Sequence, residues 1–325
     1  MQQCLMSQED LQKIMKKVFK KEYEVMTITR LLGGAQKGTY KVECSNKFAY
    51  VLYIWDASLS YFENVHTEEA FTSNSAFLFK QNYDLLMAHH IRVPELYHID
   101  LSKAIFPFEY ALVQYIDGGE LEDLLYNPQV DTTSIIMDLK ENMRKLHCIK
   151  SSRVGDLKYT REEHFSCKAY IKESLDDALL YLFEHYEPIA RLKKQLIDVS
   201  HMLYANIEER KEYALIHFEL GPNHVMVDQK GHTYLIDFEG IKYFDLEYEY
   251  SFLQLRFGKY YSELSSLEVD NHRMKYYLFY HHIAAIEGAH QLLTQDYYNL
   301  EAVNDMIHYN YEAILKSYLE CRYES

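Results

Sequence analysis

Cysteine is scarce and unpatterned: Cys4, Cys44, Cys148, Cys167 and Cys321 stand far apart, and no two form a C-x-x-C pair. An odd, scattered set indicates neither a disulfide framework nor a zinc site. Proline occurs five times, and nothing in the composition suggests collagen, a coiled coil or disorder, since 48% of residues are hydrophobic and 26% charged. Basic residues are outnumbered, 34 Lys and Arg against 49 Asp and Glu among 325 residues. The resulting formal charge of −15 argues against nucleic acid or an anionic membrane surface as the main partner, and favours a cationic one. No apolar run reaches the length of a membrane span. Residues 1–21 carry Glu9, Asp10 and then a basic run where a secretory signal needs a continuous apolar stretch, so a cytoplasmic chain is expected. Tryptophan is found once beside 31 tyrosines, a bias without a physical account.

What is present is a chain of two textures. Leu11, Ile14, Met15, Val18 and Phe19 follow the spacing of an amphipathic helix over 8–19. Three short β-type runs follow, 27–32, 39–44 and 48–55, joined by Gly33-Gly34-Ala35-Gln36-Lys37-Gly38 and by Ser45-Asn46-Lys47. That pattern predicts an antiparallel meander. A helix is expected over 74–90, then extended chain from Pro94 and strands over 95–100 and 108–116. Asp117-Gly118-Gly119 is the expected hinge, which divides the chain into an N-terminal part, 1–116, and a C-terminal part, 117–325. Beyond it the stripes are helical, interrupted by one inserted small sheet from 213–216, 225–227 and 233–238. No internal repeat is visible.

The strongest chemical signal is Ile216-His217-Phe218-Glu219-Leu220-Gly221-Pro222-Asn223-His224-Val225-Met226-Val227-Asp228, followed by Tyr234-Leu235-Ile236-Asp237-Phe238-Glu239-Gly240. The first stretch offers Glu219, Asn223 and His224 on a loop between strands, and Asp237 ends the next strand. Phosphoryl transfer needs such a set: a base orients the attacking hydroxyl while a divalent cation bridges phosphate oxygens. Oxygen ligands suit Mg²⁺.

In this region the sequence resembles the aminoglycoside phosphotransferase and choline-kinase-like small-molecule kinases, whose stretch H-G-D-L-H-P-G-N-hydrophobic-L-V-D precedes hydrophobic-I-D-[FW]-E. His217, Leu220, Pro222, Asp228, Ile236, Asp237, Phe238 and Glu239 match in order and spacing. Leu146-His147, Ile91 to Glu95 and Ala111 to Gly119 are similar to further family segments, so that the resemblance covers about residues 27–260. It implies an α+β, two-lobed protein-kinase-like fold with a β-rich N-lobe and a mainly helical C-lobe. It also implies ATP or GTP with Mg²⁺, or Mn²⁺, as cofactors and a small, cationic acceptor such as an aminoglycoside-like antibiotic, a choline-like molecule or a sugar.

Carried onto this sequence, the resemblance makes Glu219, Asp237 and His217 the catalytic set: Asp237 binds metal, Glu219 receives the hydroxyl proton and His217 braces the loop. Asn223 or His224 completes the metal site. The turn bearing Gly33, Gly34, Lys37 and Gly38 covers the phosphates, and the nucleotide base meets backbone near Gln114 and Ile116. Asp245 is expected to hold the catalytic loop by hydrogen bonds, and Glu249 to be only a helix-start carboxylate. Three positions depart from the family pattern. Glu219 replaces Asp, His224 falls where the metal-binding Asn belongs, and Tyr53 occupies the phosphate-lysine position on its strand. Phe77 and Phe79 lie near where the lysine's Glu partner would be, and Lys80 or Lys37 is left to reach the phosphates. These departures keep two other readings open, a kinase-fold binding protein that has lost transfer, and nucleotidyl transfer on the same fold.

Overall fold

Alternation is plain in Gly38–Cys44, where every second residue is buried, as a strand with one face on a core requires. The computed structural model describes residues 4–21, 23–31, 37–59, 75–157, 165–265, 269–294 and 299–319. Two compact units emerge. The first comprises Met1–Ile149, Gly155–Thr160 and Pro222–Tyr243, the second Lys150–Val154, Arg161–Gly221 and Phe244–Ser325.

The first unit begins with helix α1 (Gln8–Phe19), whose Ser7 hydroxyl accepts from the Asp10 N–H while the Asp10 carboxylate returns to the Ser7 N–H, both at 3.1 Å. This reciprocal cap satisfies two otherwise orphaned donors. Its buried face, Leu11, Ile14 and Met15, joins Val25, Val42, Tyr50, Leu52 and Leu112 in one core. Strands β1 (Val25–Arg30), β2 (Gly38–Cys44), β3 (Ala49–Trp55), β4 (Leu96–Asp100) and β5 (Glu109–Gln114) form an antiparallel sheet in the order β1-β2-β3-β5-β4. The expected meander is its first three strands. Helix α2 (Ala76–Ala88) stands between β3 and β4 in the chain.

After this sheet come β6 (Gly118–Glu120), α3 (Leu121–Tyr126) and α4 (Thr133–His147), and later β9 (Val225–Asp228) and β10 (Thr233–Leu235), which belong to the same unit. The expected division at 116/117 is therefore not where the units part. Gly118 is no hinge: β6 pairs with β9, and a Cβ at Gly118 would lie 1.8 Å from the Val227 carbonyl oxygen. Only glycine allows that backbone approach.

The second unit holds β7 (Lys150–Ser151), α5 (Cys167–His185), α6 (Glu187–Ala190), α7 (Lys193–Ala205), β8 (Tyr213–Ile216), α8 (Leu246–Phe257), α9 (Tyr261–Leu264), α10 (Asn271–Leu293) and α11 (Leu300–Ile314), with β11 (Lys242–Phe244) at the chain crossing. The single inserted sheet expected from the sequence is instead divided. Strand β8 pairs with β7, while β9 and β10 pair with each other and β9 with β6. Period-2 runs announce strands, but partner choice depends on contacts distant in sequence. Among the described residues, no helix is long and apolar enough to cross a membrane.

Helix α10 buries two adjacent histidines. His281 bonds the Tyr248 carbonyl oxygen at 3.1 Å through Nε2, and His282 bonds Asn310 Oδ1 at 2.8 Å. Burial holds the His281 pKa down to about 3 and lowers that of His282. The folded state thus keeps His281 neutral, whereas the unfolded chain protonates it below about pH 6.5. Stability from this group is complete above that value and is lost as pH falls towards the folded pKa. Urea unfolding is expected to show about 2 kcal/mol less stability at pH 5 than at pH 7 from this one group. His281→Gln should flatten that dependence; an unchanged slope would contradict it.

Candidate active site

In the first unit the site is built around the exit of β10. Arg92 and Thr233 donate to Asp138 on α4, the former at 2.7 Å and the latter through both N–H and hydroxyl at 2.7 and 2.6 Å. Asn142, one turn on, donates to the Thr233 carbonyl and hydroxyl at 3.1 and 2.9 Å. Side-chain partners, buried at Asn142 and partly buried at Arg92 and Asp138, thus fix β10 in register against α4. Asp228 closes the β9–β10 turn: it accepts from the N–H groups of Lys230 and His232, which outweigh its slight burial and push it down to about 2.

Immediately beyond β10, Asp237 adopts left-handed backbone (φ 58°, ψ 41°). An Asp tolerates this region better than most residues, and the turn brings its side chain to a half-exposed position. The N–H of Ile236 donates to the His224 carbonyl at 3.0 Å, and His224 Nε2 lies 3.7 Å from Asp237 Oδ2. Asn223 precedes His224 in the one-turn helix Pro222–His224. After Asp237 the turn Phe238–Gly240 is gripped from α2: Asn82 Nδ2 donates to the carbonyls of Phe238 at 2.7 Å and Glu239 at 3.0 Å. Phe79 stacks on Phe238 with ring centres 4.8 Å apart.

The cation of this site is Lys37. Its ammonium reaches Asp237 Oδ1 at 2.8 Å and also bonds Glu239 Oε1. It lies 4.6 Å from the centre of the Tyr53 ring, within cation–π range. Burial disfavours the charged ammonium, yet the two carboxylates outweigh that cost and raise its pKa. Burial pushes Glu239 upward, and Lys37 opposes that shift. Tyr53, buried against Trp55 and Phe79, is pushed up to about 12 by burial and so stays a neutral phenol.

Several expected nucleotide residues have other work. Gly33 and Gly34 lie outside the described residues. Gly38 is part of β2 opposite Ile54, and a Cβ there would stand 2.6 Å from Leu59 Cδ1, so it is a packing glycine. The backbone N–H of Gln114 is committed to the Glu95 carbonyl at 2.8 Å, and Ile116 is buried. Lys80 is exposed and pairs with Asp84 one turn along α2 at 2.5 Å, whereas Lys37 is the lysine at Asp237.

In the second unit, β8 leads into His217, fully buried, then Phe218 and the exposed Glu219. Phe218 has φ 78°, a conformation costly for a bulky side chain. Two features hold it there. Its N–H donates to Glu249 Oε2 at 3.0 Å, and its ring stacks on Tyr248 at 4.4 Å and 15°. The expected roles of Asp245 and Glu249 are therefore exchanged. Asp245 accepts from Arg273 at 2.6 Å and from the Tyr277 hydroxyl at 2.5 Å inside the helical core, while Glu249 holds the loop. Their positions at the start of one helix look equivalent in sequence, and only the packing of α8 against β8 distinguishes them. Because strain and stacking oppose each other at Phe218, Phe218→Gly should unfold in urea with about 1 kcal/mol more stability than Phe218→Ala, the reverse of the usual order in helices.

Glu219 sits in acidic company. It raises the pKa of buried Tyr248 and of Tyr280, for each of which burial is the larger cause. Glu287 also acts on Tyr280, and is itself raised by burial and by Asp177. In the sequence Asp177 stands among the acidic residues Glu173, Asp176 and Glu184, a visible if unspecific signal, whereas Glu287 has none, because a helix of mixed polarity gives no sign of which face is enclosed.

The sheet-bearing first unit and the helical second unit have the architecture of the kinase-like small-molecule phosphotransferases. A variant of aminoglycoside 2′-phosphotransferase-IIIa bound to GDP is similar over 96% of this chain and 99% of its own, with a TM-score of 0.61 and 14% identity. Spectinomycin phosphotransferase APH(9)-Ia with ADP and spectinomycin aligns over 95% of each chain at a TM-score of 0.60 and 14% identity. Aminoglycoside phosphotransferase APH(4)-Ia does so over 93% of this chain and 98% of its own, at 0.59 and 14%. No curated protein sequence matches. The sequence profile of the phosphotransferase enzyme family matches residues 27–282, and the chain belongs to that family.

Proposed function

We propose that the protein transfers the γ-phosphate of ATP or GTP to a hydroxyl of a small, cationic molecule in the cytoplasm. The observation that carries this reading is Asp237, a half-exposed carboxylate in left-handed backbone, held by a buried network and facing His224. A half-exposed carboxylate fixed by hydrogen-bonded elements on both sides is placed as a metal ligand needs to be. The donors suit a hard divalent cation: Asp237 would hold Mg²⁺ or Mn²⁺ together with Asn223 or His224, and the metal would neutralise phosphate charge.

In the second unit, Glu219 accepts the acceptor hydroxyl's proton, and buried His217 braces the loop from below. The carboxylates of Glu219 and Glu287, both acting on Tyr280, and of Asp177, acting on Glu287, support a cationic acceptor, as does the −15 charge. An aminoglycoside-like antibiotic, a choline-like amine or an amino sugar satisfies that chemistry, and the relative bound to spectinomycin and ADP is consistent with it. Titration calorimetry with MgATP and MgGTP tests nucleotide binding, and phosphorus NMR of the products tests transfer. A nucleoside diphosphate with a phosphorylated amine or sugar is expected. Pyrophosphate would indicate nucleotidyl transfer, and no binding of either nucleotide would overturn the proposal.

A further inference from the structure

We propose that the phosphate-binding ion pair of this protein has moved: Lys37, just before β2, contacts the nucleotide phosphates, and Glu239, in the turn after Asp237, holds that lysine. The inference rests on the kinase reading and goes beyond it, since it concerns which elements carry the charge. In protein-kinase-like sites the lysine stands on the third strand and its glutamate on the following helix. Here those places are apolar. Tyr53 on β3 and Phe79 on α2 pack edge to face at 5.7 Å, and Phe79 continues onto Phe238. The charge removed from that spot reappears one strand away. Thr39 pairs directly with Tyr53, and Lys37 reaches back over the Tyr53 ring to Glu239 and Asp237.

Three features separate this from an ordinary buried salt bridge. Among the described residues, Glu239 Oε2 is buried without a hydrogen-bond partner, so the pair is not closed upon itself. The ammonium has three donors and, among the described residues, the carboxylates take two, which leaves one for a phosphate oxygen. Its partner Asp237 is half-exposed, so Nζ lies only one carboxylate beneath solvent although its own side chain is enclosed. A buried ammonium beside the proposed metal ligand is suited to neutralise phosphate charge. Helix α2 contributes no charge to the pair and touches the turn through Asn82 and Phe79 alone among the contacts described. A lysine returned to position 53 would start from the neighbouring strand position and reach the same spot.

Calorimetry with MgATP and with adenosine, on wild type, Lys37→Met, Lys37→Met/Glu239→Gln and Lys37→Met/Tyr53→Lys, tests this. The Glu239→Gln partner avoids stranding a buried carboxylate. Wild type should bind both ligands. Both variants lacking a lysine should bind MgATP about 10- to 100-fold more weakly, the loss of one hydrogen bond to a charged group, and adenosine within about twofold of wild type. The Tyr53→Lys combination should recover most of the loss, and Lys80→Met should change nothing.

As a measurement on unaltered protein, an acyl phosphate of ATP can acylate the nearest amine: Lys Nζ passes one proton to a neighbouring carboxylate and attacks the acyl carbon, its second proton goes to solvent as the amide forms, the acyl–oxygen bond to phosphate breaks and ATP leaves. Mass spectrometry should find Lys37 acylated and excess ATP should prevent it. MgATP binding unchanged in a folded Lys37→Met/Glu239→Gln protein, equal weakening of ATP and adenosine, or acylation at Lys80 instead would overturn the inference while leaving the kinase reading intact. A wild type that binds neither these ligands nor MgGTP and guanosine, and is not acylated, would overturn both.

Discussion

Asp237→Asn is expected to lower the turnover number by about 10³-fold or more while the protein remains folded. The amide keeps the shape of the carboxylate but loses the charge that a divalent cation requires, and stabilisation of developing phosphate charge is the largest contribution such sites make. The fold should tolerate the change unusually well for a site with a buried ammonium. Lys37 faces two carboxylates, and after substitution Glu239 alone still neutralises it. A melting temperature within a few degrees of wild type, with steady-state assays showing near-complete loss of product, is the anticipated combination. An Asp237→Asn variant that kept a tenth of wild-type turnover would remove Asp237 from the chemistry.

Glu219 carries the second large effect. Glu219→Gln should reduce the turnover number by about 10²- to 10⁴-fold, the usual contribution of a positioned base, with little change in the Michaelis constant for the acceptor. Glu219→Asp is more informative still. It restores the shorter carboxylate found in related loops, but draws the oxygens back by about 1 Å, enough to cost about 10²-fold where geometry has adapted to the longer side chain. The loop in this chain has adapted around its own residues, since Phe218 is locked in left-handed backbone by Glu249 and Tyr248. If Glu219→Asp proved more active than wild type, the loop would be one that has drifted from catalysis, and the binding-protein reading would gain.

The family resemblance carried by the stretch from His217 to Glu239 was legible because it is local: residue types at fixed spacing on a strand, a turn and a strand. The meander of β1, β2 and β3, helix α1 and the stripes of α4, α5 and α10 were legible for a similar reason, since burial of one face imposes a period of 2 or 3.6 on any sequence that forms such elements. Roles that depend on a partner far along the chain were not. Lys37 and Glu239 are separated by 202 positions, and nothing near either one announces the other. Asp245 and Glu249 stand one turn apart at the same helix start, and their tasks differ only through what α8 packs against. Gly118 resembled a hinge because glycine marks both flexibility and close approach, and only the Val227 carbonyl beside it decides which.

The amino-acid sequence by itself determined the element types, the acidic character and the order of the phosphotransferase motif, because these follow from side-chain chemistry and spacing along one chain. Tertiary structure alone decided which lysine meets Asp237, which carboxylate holds the Phe218 loop and where the chain divides into units. Those outcomes rest on which buried charges find compensation, and burial is created only when distant segments meet.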